Sequence, residues 1–150
     1  MNHDETYPAE YLAGILKEVK TIAMVGASPD PTKFSYGVLR VLHETGYDMI
    51  PVNPNLAGGE IRGLRVYESL LAIDRPVDMV EVFRSSNALP EITREAIAIG
   101  AKVLWTQLGV RDDGAARLAE AAGRAASSLR TPICIQTTLA PILMASSVTA

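Results

Sequence analysis

Two spacings of apolar residues alternate along this chain. Over residues 8–19, Leu12, Ile15, Leu16 and Val19 recur at i, i+3, i+4 and i+7, which predicts an amphipathic helix with Pro8 near its first turn. Residues 21–26 form a near-continuous apolar run ending in glycine, the pattern of a parallel strand covered on both faces. A second helix opens at Ser35, whose hydroxyl can cap it; Val38, Val41 and Leu42 face inward and Gly46 stops it. Residues 48–53 predict the second strand. Pro51 has no N–H to give a ladder, so this strand fits best where no donor is needed.

Residues 63–67 predict a short third strand and 68–73 a small helix. The fourth strand is 77–83. Ser86 or Asn87 then caps a helix that turns Leu89, Ile92, Ala96 and Ile99 inward and ends at Gly100. Residues 102–106 make the fifth strand. Asp112 opens a helix with Ala115, Leu118, Ala119 and Ala122 inward, and 132–136 make a sixth strand. Strands alternating with helices argue βαβ units. The expectation is an α/β, Rossmann-like fold: an open, mostly parallel sheet with helices on both faces, in a single domain spanning residues 1–150. Residues 1–7 and about 137–150 are expected as poorly ordered tails.

Composition narrows the function classes. With 48% apolar and 21% charged residues, neither disorder nor a membrane span is favoured, and no apolar run reaches the roughly 18 residues of a spanning helix. A net charge of −3 without a basic stripe lacks the footprint of a nucleic-acid binder. The single cysteine, Cys134, cannot form an internal disulfide and fits a reducing compartment. The polar, acidic start is unlike a signal peptide. A cytoplasmic monomer or homodimer is expected.

In sheets of this class the ligand lies beyond the carboxyl ends of the strands, where strand order reverses. The first such loop runs Gly26-Ala-Ser-Pro-Asp-Pro-Thr-Lys-Phe-Ser-Tyr-Gly37. Gly26, Ala27 and Ser28 are small enough for close approach of backbone to an anion. Ser28 offers a hydroxyl and Lys33 a charge, while Ser35 with the amides of Tyr36 and Gly37 makes a helix-N-terminal phosphate-binding loop. The same residues serve equally well as an ordinary strand-to-helix turn. A dinucleotide fingerprint would place a second glycine at Ser28 and an acid at the end of the second strand. Asn53-Pro54-Asn55 stands there instead, which weakens a nicotinamide cofactor.

Asn53 and Pro54 read alone as a turn; in a site they would meet an adenine edge or ribose. Arg84, directly after Phe83 at the fourth strand's end, places a guanidinium at the same mouth. Glu81 is a carboxylate inside an apolar strand, expected to pair with Arg84 or with backbone donors rather than to act as an acid or base. Trp105 is expected in the core, and Gln107 is a polar amide at a ligand-facing strand end. His3 and His43 are too far apart for a metal cluster, and no nucleophile–base pair assembles.

These segments together resemble the small CoA-binding proteins of the YccU-like type, related to the CoA-binding domain of the succinyl-CoA synthetase α subunit. The likeness runs through Ile22-Ala-Met-Val-Gly-Ala-Ser-Pro, Lys33-Phe-Ser-Tyr-Gly-Val38, Ile50-Pro-Val-Asn-Pro-Asn55, Val77-Asp-Met-Val-Glu-Val-Phe-Arg84 and Trp105-Thr-Gln-Leu-Gly-Val110, covering about residues 8–123. After Gly123 the sequence leaves the family's pattern. The resemblance implies a fold that holds coenzyme A or an acyl-CoA. Gly26, Ala27, Ser28, Lys33 and Ser35 would receive phosphates, Asn53 and Pro54 would border the adenosine, Phe83 and Arg84 would stand opposite, and Gln107 and Gly109 would face the far end. It implies a binding or regulatory module. An NAD(P)-dependent oxidoreductase or redox sensor, and a subunit or fragment of a CoA ligase or transferase, stay as alternatives.

Overall fold

Five parallel strands make the central sheet of this protein, a computed structural model that describes residues 9–106 and 133–136. The chain runs α1 (Ala9–Glu18), β1 (Thr21–Val25), α2 (Phe34–Thr45), β2 (Asp48–Val52), β3 (Glu60–Ile61), β4 (Leu64–Arg65), β5 (Met79–Val82), α3 (Leu89–Ala98), β6 (Val103–Thr106) and β7 (Ile133–Gln136). The sheet order is β2-β1-β5-β6-β7. The Rossmann-like α/β class is therefore as expected. The helix expected at Asp112 and both tails lie outside the described residues.

Period-two alternation divides β1, β2, β5 and β6 between two cores. Ile22, Met24, Met49, Met79, Val103 and Trp105 pack with Leu16, Val38, Leu39 and Leu42 of α1 and α2. Ala23, Val25, Ile50, Val80, Val82 and Leu104 pack with Leu89, Ile92 and Ala96 of α3. Burial on both faces explains the continuous apolar runs. Gly46 ends α2 as expected, at φ 113, with its N–H donating to the His43 and Leu42 carbonyls.

Three local expectations are corrected. The third strand does not join the sheet: β3 and β4 form a separate antiparallel hairpin, and only Tyr67 bridges to Val52, in parallel, at the outer edge of β2. The two-residue turn Arg62-Gly63 has both φ values positive (52 and 78), the geometry that lets a tight hairpin follow strand twist. The small helix shrinks to a 3-10 turn over Leu70–Ala72. Helix α3 is capped by neither Ser86 nor Asn87; a 3-10 turn over Ser86–Ala88 leads into it, with Pro90 in its first turn.

Pro51 sits where the sequence required. β2 is one of the sheet's two outer strands, and Pro51 faces Met24 of β1 while its carbonyl accepts from the Tyr67 N–H (3.0 Å). At the opposite end of the sheet, Asp78 accepts from the amides of Lys20 (2.9 Å) and Thr21 (3.2 Å) and lies 3.6 Å from the Lys102 ammonium. It ties the starts of β1, β5 and β6 together.

Candidate functional site

The chain passes from β2 on one side of β1 to β5 on the other, so the switch point of this sheet lies between the tips of β1 and β5. The two exits are pressed together there. The Phe83 N–H donates to the Val25 carbonyl (2.8 Å) and the Gly26 N–H to the Val52 carbonyl (3.0 Å). Gly26 has φ +88, and a Cβ on it would stand 2.5 Å from the Phe83 carbonyl oxygen and 3.2 Å from Arg84 Cδ. The neighbouring strand's exit and the left-handed backbone both demand glycine here, which is a structural requirement of the strand-to-helix turn that the sequence left open beside an anion site.

Beyond Gly26 the loop holds its own shape. Ala27 is fully buried under α2. Ser28 Oγ accepts from the Asp30 amide (3.1 Å), and Asp30 Oδ1 accepts from the Thr32 amide (2.9 Å) and hydroxyl (2.7 Å). Those bonds, the amide first, hold the Asp30 carboxyl below its usual range despite the opposing pull of burial, and Lys33 adds to the effect. Asn53 Nδ2 donates to the Ala27 carbonyl (3.0 Å) and its Oδ1 accepts from the Asn55 amide (2.9 Å). Asn53 therefore braces the loop against the end of β2.

The N-cap of α2 falls two residues earlier than expected. Lys33 occupies the N-cap position with an extended backbone and no side-chain capping bond, and Phe34 is the first helical residue. Ser35 is buried in the first turn instead of capping it. The Tyr36 amide, expected to face an anion, donates back to the Lys33 carbonyl (3.1 Å). Among the described residues, the first-turn amides without a hydrogen-bond partner are those of Phe34 and Ser35. The Tyr36 side chain is committed to the hairpin: Arg62 donates to its hydroxyl (3.3 Å) and lies 5.7 Å from its ring centre. Gly37 follows within the helix, with open space where a Cβ would stand.

Arg84 is exposed, with its stem against Gly26. Together with Val25, Val52, Pro54, Leu70 and Ile92 it lines a cavity of about 210 Å³ on the α3 side of the switch point. The glutamates Glu68, Glu91 and Glu95 share that lining, and burial, followed by the Glu91 charge, pushes the Glu95 carboxyl up. On the α2 side, the half-buried Phe83 ring meets Phe34, centroid to centroid 6.1 Å and tilted by 57°. Phe34 is 56% exposed. It was not among the sequence-predicted site residues, although its apolar character beside Lys33 was the available signal. The fold thus brings Gly26, Phe83 and Arg84 into contact, with Pro54 in the Arg84 cavity. Gln107 and Gly109 lie outside the described residues.

Glu81 departs from expectation. It lies in β5 between Met24 and Trp105, fully buried on the α1/α2 side, and neither carboxylate oxygen has a hydrogen-bond partner among the described residues. Among the described residues the expected pairing with Arg84 or backbone donors is not made. Arg84 lies past the strand end and is exposed, while the neighbouring strands spend their backbone groups on the ladder. Burial pushes the carboxyl up to about 8, so protonation, rather than an ion pair, neutralises it. Among the described residues no group of three or more His, Cys, Asp or Glu is arranged to hold a metal, and no helix is long and apolar enough to cross a membrane.

Comparison with known proteins places this architecture. A family model described as a CoA binding domain matches residues 20–136. The uncharacterised protein YneT of Bacillus subtilis is 38% identical over 110 residues, covering 73% of this chain and 80% of that protein. The I subunit alpha of an ADP-forming acetate–CoA ligase of Pyrococcus furiosus is 35% identical over 89 residues, which is 57% of this chain but 19% of the ligase subunit. Among solved structures, a hypothetical protein from Pyrococcus horikoshii superposes with a TM-score of 0.82 at 31% identity, covering 99% of both chains.

Proposed function

This chain belongs to the CoA binding domain family, and from that premise we propose that it holds coenzyme A or an acyl-CoA at the β1/β5 switch point, as a binding or regulatory module. The observation that carries the reading is the family match itself, which spans the whole β1–α2–β2 crossover and the exit of β5.

The residues present fit such a ligand. Coenzyme A has a flat base, a run of phosphates and a long uncharged arm. The cavity lined by Pro54, Leu70 and Arg84 suits a base. The open amides of Phe34 and Ser35 at the head of α2 suit a phosphate, with the exposed Lys33 and Arg84 supplying charge. In this reading Gly26, Ala27 and Asn53 shape the loop without touching the ligand. The cytoplasm, with its reducing thiol pool, is the setting that a single cysteine fits. Native mass spectrometry of the purified chain, followed by calorimetric titration with CoA and with NADH, tests the proposal. The expected outcome is CoA bound one to one and no NADH binding; NADH binding without CoA binding overturns it.

A second reading is supported by the acetate–CoA ligase relative: the chain acts as a CoA-holding part of a ligase or transferase. It predicts that a second polypeptide co-purifies and that the pair forms ADP only when ATP, acetate and CoA are all present.

A further inference from the structure

One wall of the switch-point cavity is a face of α3, where Ala88, Glu91, Ile92 and Glu95 follow one another at i, i+3, i+4 and i+7. The rest of the lining is mostly apolar, with Glu68 and Arg84 as its other charged groups. Two carboxylates four residues apart on one helix repel each other and destabilise it. Glu95 is half-buried, and burial first, then the Glu91 charge, pushes its carboxyl up. The fold draws no compensating bond from either group. Among the described residues neither Glu91 nor Glu95 makes an ion pair or a side-chain hydrogen bond, although Arg84 lines the same cavity. Nor do the acidic side chains there converge on a metal position.

The charge of the lining decides what the cavity accepts. Three carboxylates stand against one guanidinium, so a phosphate inside would meet excess negative charge, whereas an uncharged group with N–H donors would be attracted. The base of coenzyme A is such a group: adenine is flat and uncharged, and its exocyclic amine carries two N–H donors. We propose that the carboxylates of Glu95 and Glu91 accept hydrogen bonds from the adenine amino group of coenzyme A, so that the α3 wall selects adenine over a base with a carbonyl in that place. This inference rests on the coenzyme A reading above and on the base occupying this cavity. A carbonyl at the same position turns its lone pairs toward two anions and leaves both carboxylates without that donor. The amide N–H groups of the ligand's arm are the competing occupant. Changing the base leaves them untouched, so the two occupants give different results.

The test is calorimetric titration of the whole chain with CoA and with deamino-CoA, in which hypoxanthine replaces adenine and the amine becomes a carbonyl at nearly unchanged shape. Wild type, Glu95→Leu and Glu91→Gln are compared. A hydrogen bond to a charged group corresponds to about tenfold to a hundredfold in affinity, and wild type should prefer CoA by about that factor. Glu95→Leu should bind the two ligands nearly equally, through weaker binding of CoA, and Glu91→Gln should keep part of the preference. A merely structural role for these glutamates would weaken both ligands alike and preserve their ratio. Equal wild-type affinity for the two ligands, or an unchanged ratio in both variants, overturns the adenine contact while leaving the CoA reading intact. Absence of binding to either ligand by wild type overturns both.

Discussion

Replacing Glu81 should abolish an unusual pH dependence of stability. The folded carboxyl titrates at about 8 against an ordinary value of 4.5, solely because it is buried. Between those values the folded chain keeps a proton that the unfolded chain has released, so unfolding releases a proton and rising pH favours it. Each pH unit in that window removes about 1.4 kcal/mol of stability. About 3 kcal/mol is therefore lost by pH 7 relative to pH 4.5, and the loss levels off only above about 8. Against a typical total of about 5–15 kcal/mol this is a large fraction. Glu81→Gln keeps the shape and cannot ionise. Urea unfolding followed through the single tryptophan, the fully buried Trp105, should show the variant and wild type nearly equal at pH 5. Relative to wild type the variant should then gain about 2.5 kcal/mol by pH 7 and about 3.5 kcal/mol by pH 8. Curves for the two proteins that stay parallel from pH 5 to 8 would mean that the carboxyl is ionised and paired in the folded state, and the reasoning would fail.

Asp78 should behave in the opposite sense. Burial raises its pKa, but the amides of Lys20 and Thr21 and the Lys102 ammonium outweigh this and hold it low. Its contribution is present above its ordinary value and lost as pH falls through the folded one, so Asp78→Asn should flatten the acid limb of the stability curve and leave the Glu81 window unchanged. Gly26→Ala should cost about 2–4 kcal/mol in denaturant unfolding, because its Cβ meets a backbone carbonyl at 2.5 Å and its φ is positive; a variant as stable as wild type would show that the two strand exits can separate freely. Asn53→Ala should lose about 1–2 kcal/mol by removing the braces to Ala27 and Asn55, with faster amide exchange in the loop as its signature. Lys33→Ala and Arg84→Ala should each weaken CoA binding by about 1.5–3 kcal/mol if each gives a charged hydrogen bond to phosphate, without a change in thermal midpoint, since both side chains are exposed. Unchanged affinity in calorimetry would remove those roles.

Periodicity alone determined the fold class, the parallel strands, the stop at Gly46 and the placement of Pro51 at an edge, because each follows from side-chain spacing or from one residue's own backbone limits. The strand-end residues that make the mouth were legible for the same reason, once a doubly wound sheet was expected. Other features were decided by partners distant in sequence. Whether residues 63–67 extend the sheet depends on the Arg62-Gly63 turn folding them back on 60–61, which leaves Tyr67 alone to bridge β2. Why Gly26 must be glycine depends on Phe83, and what Asn53 does depends on Ala27, contacts that no local pattern encodes. The sequence marked Glu81 as costly, yet only the packed sheet shows that among the described residues no partner reaches its carboxylate. It also offered Phe34 as one more apolar residue near a helix start. Exposure is a property of what surrounds a side chain, and the contact of the exposed Phe34 ring with Phe83 exists only in the tertiary structure.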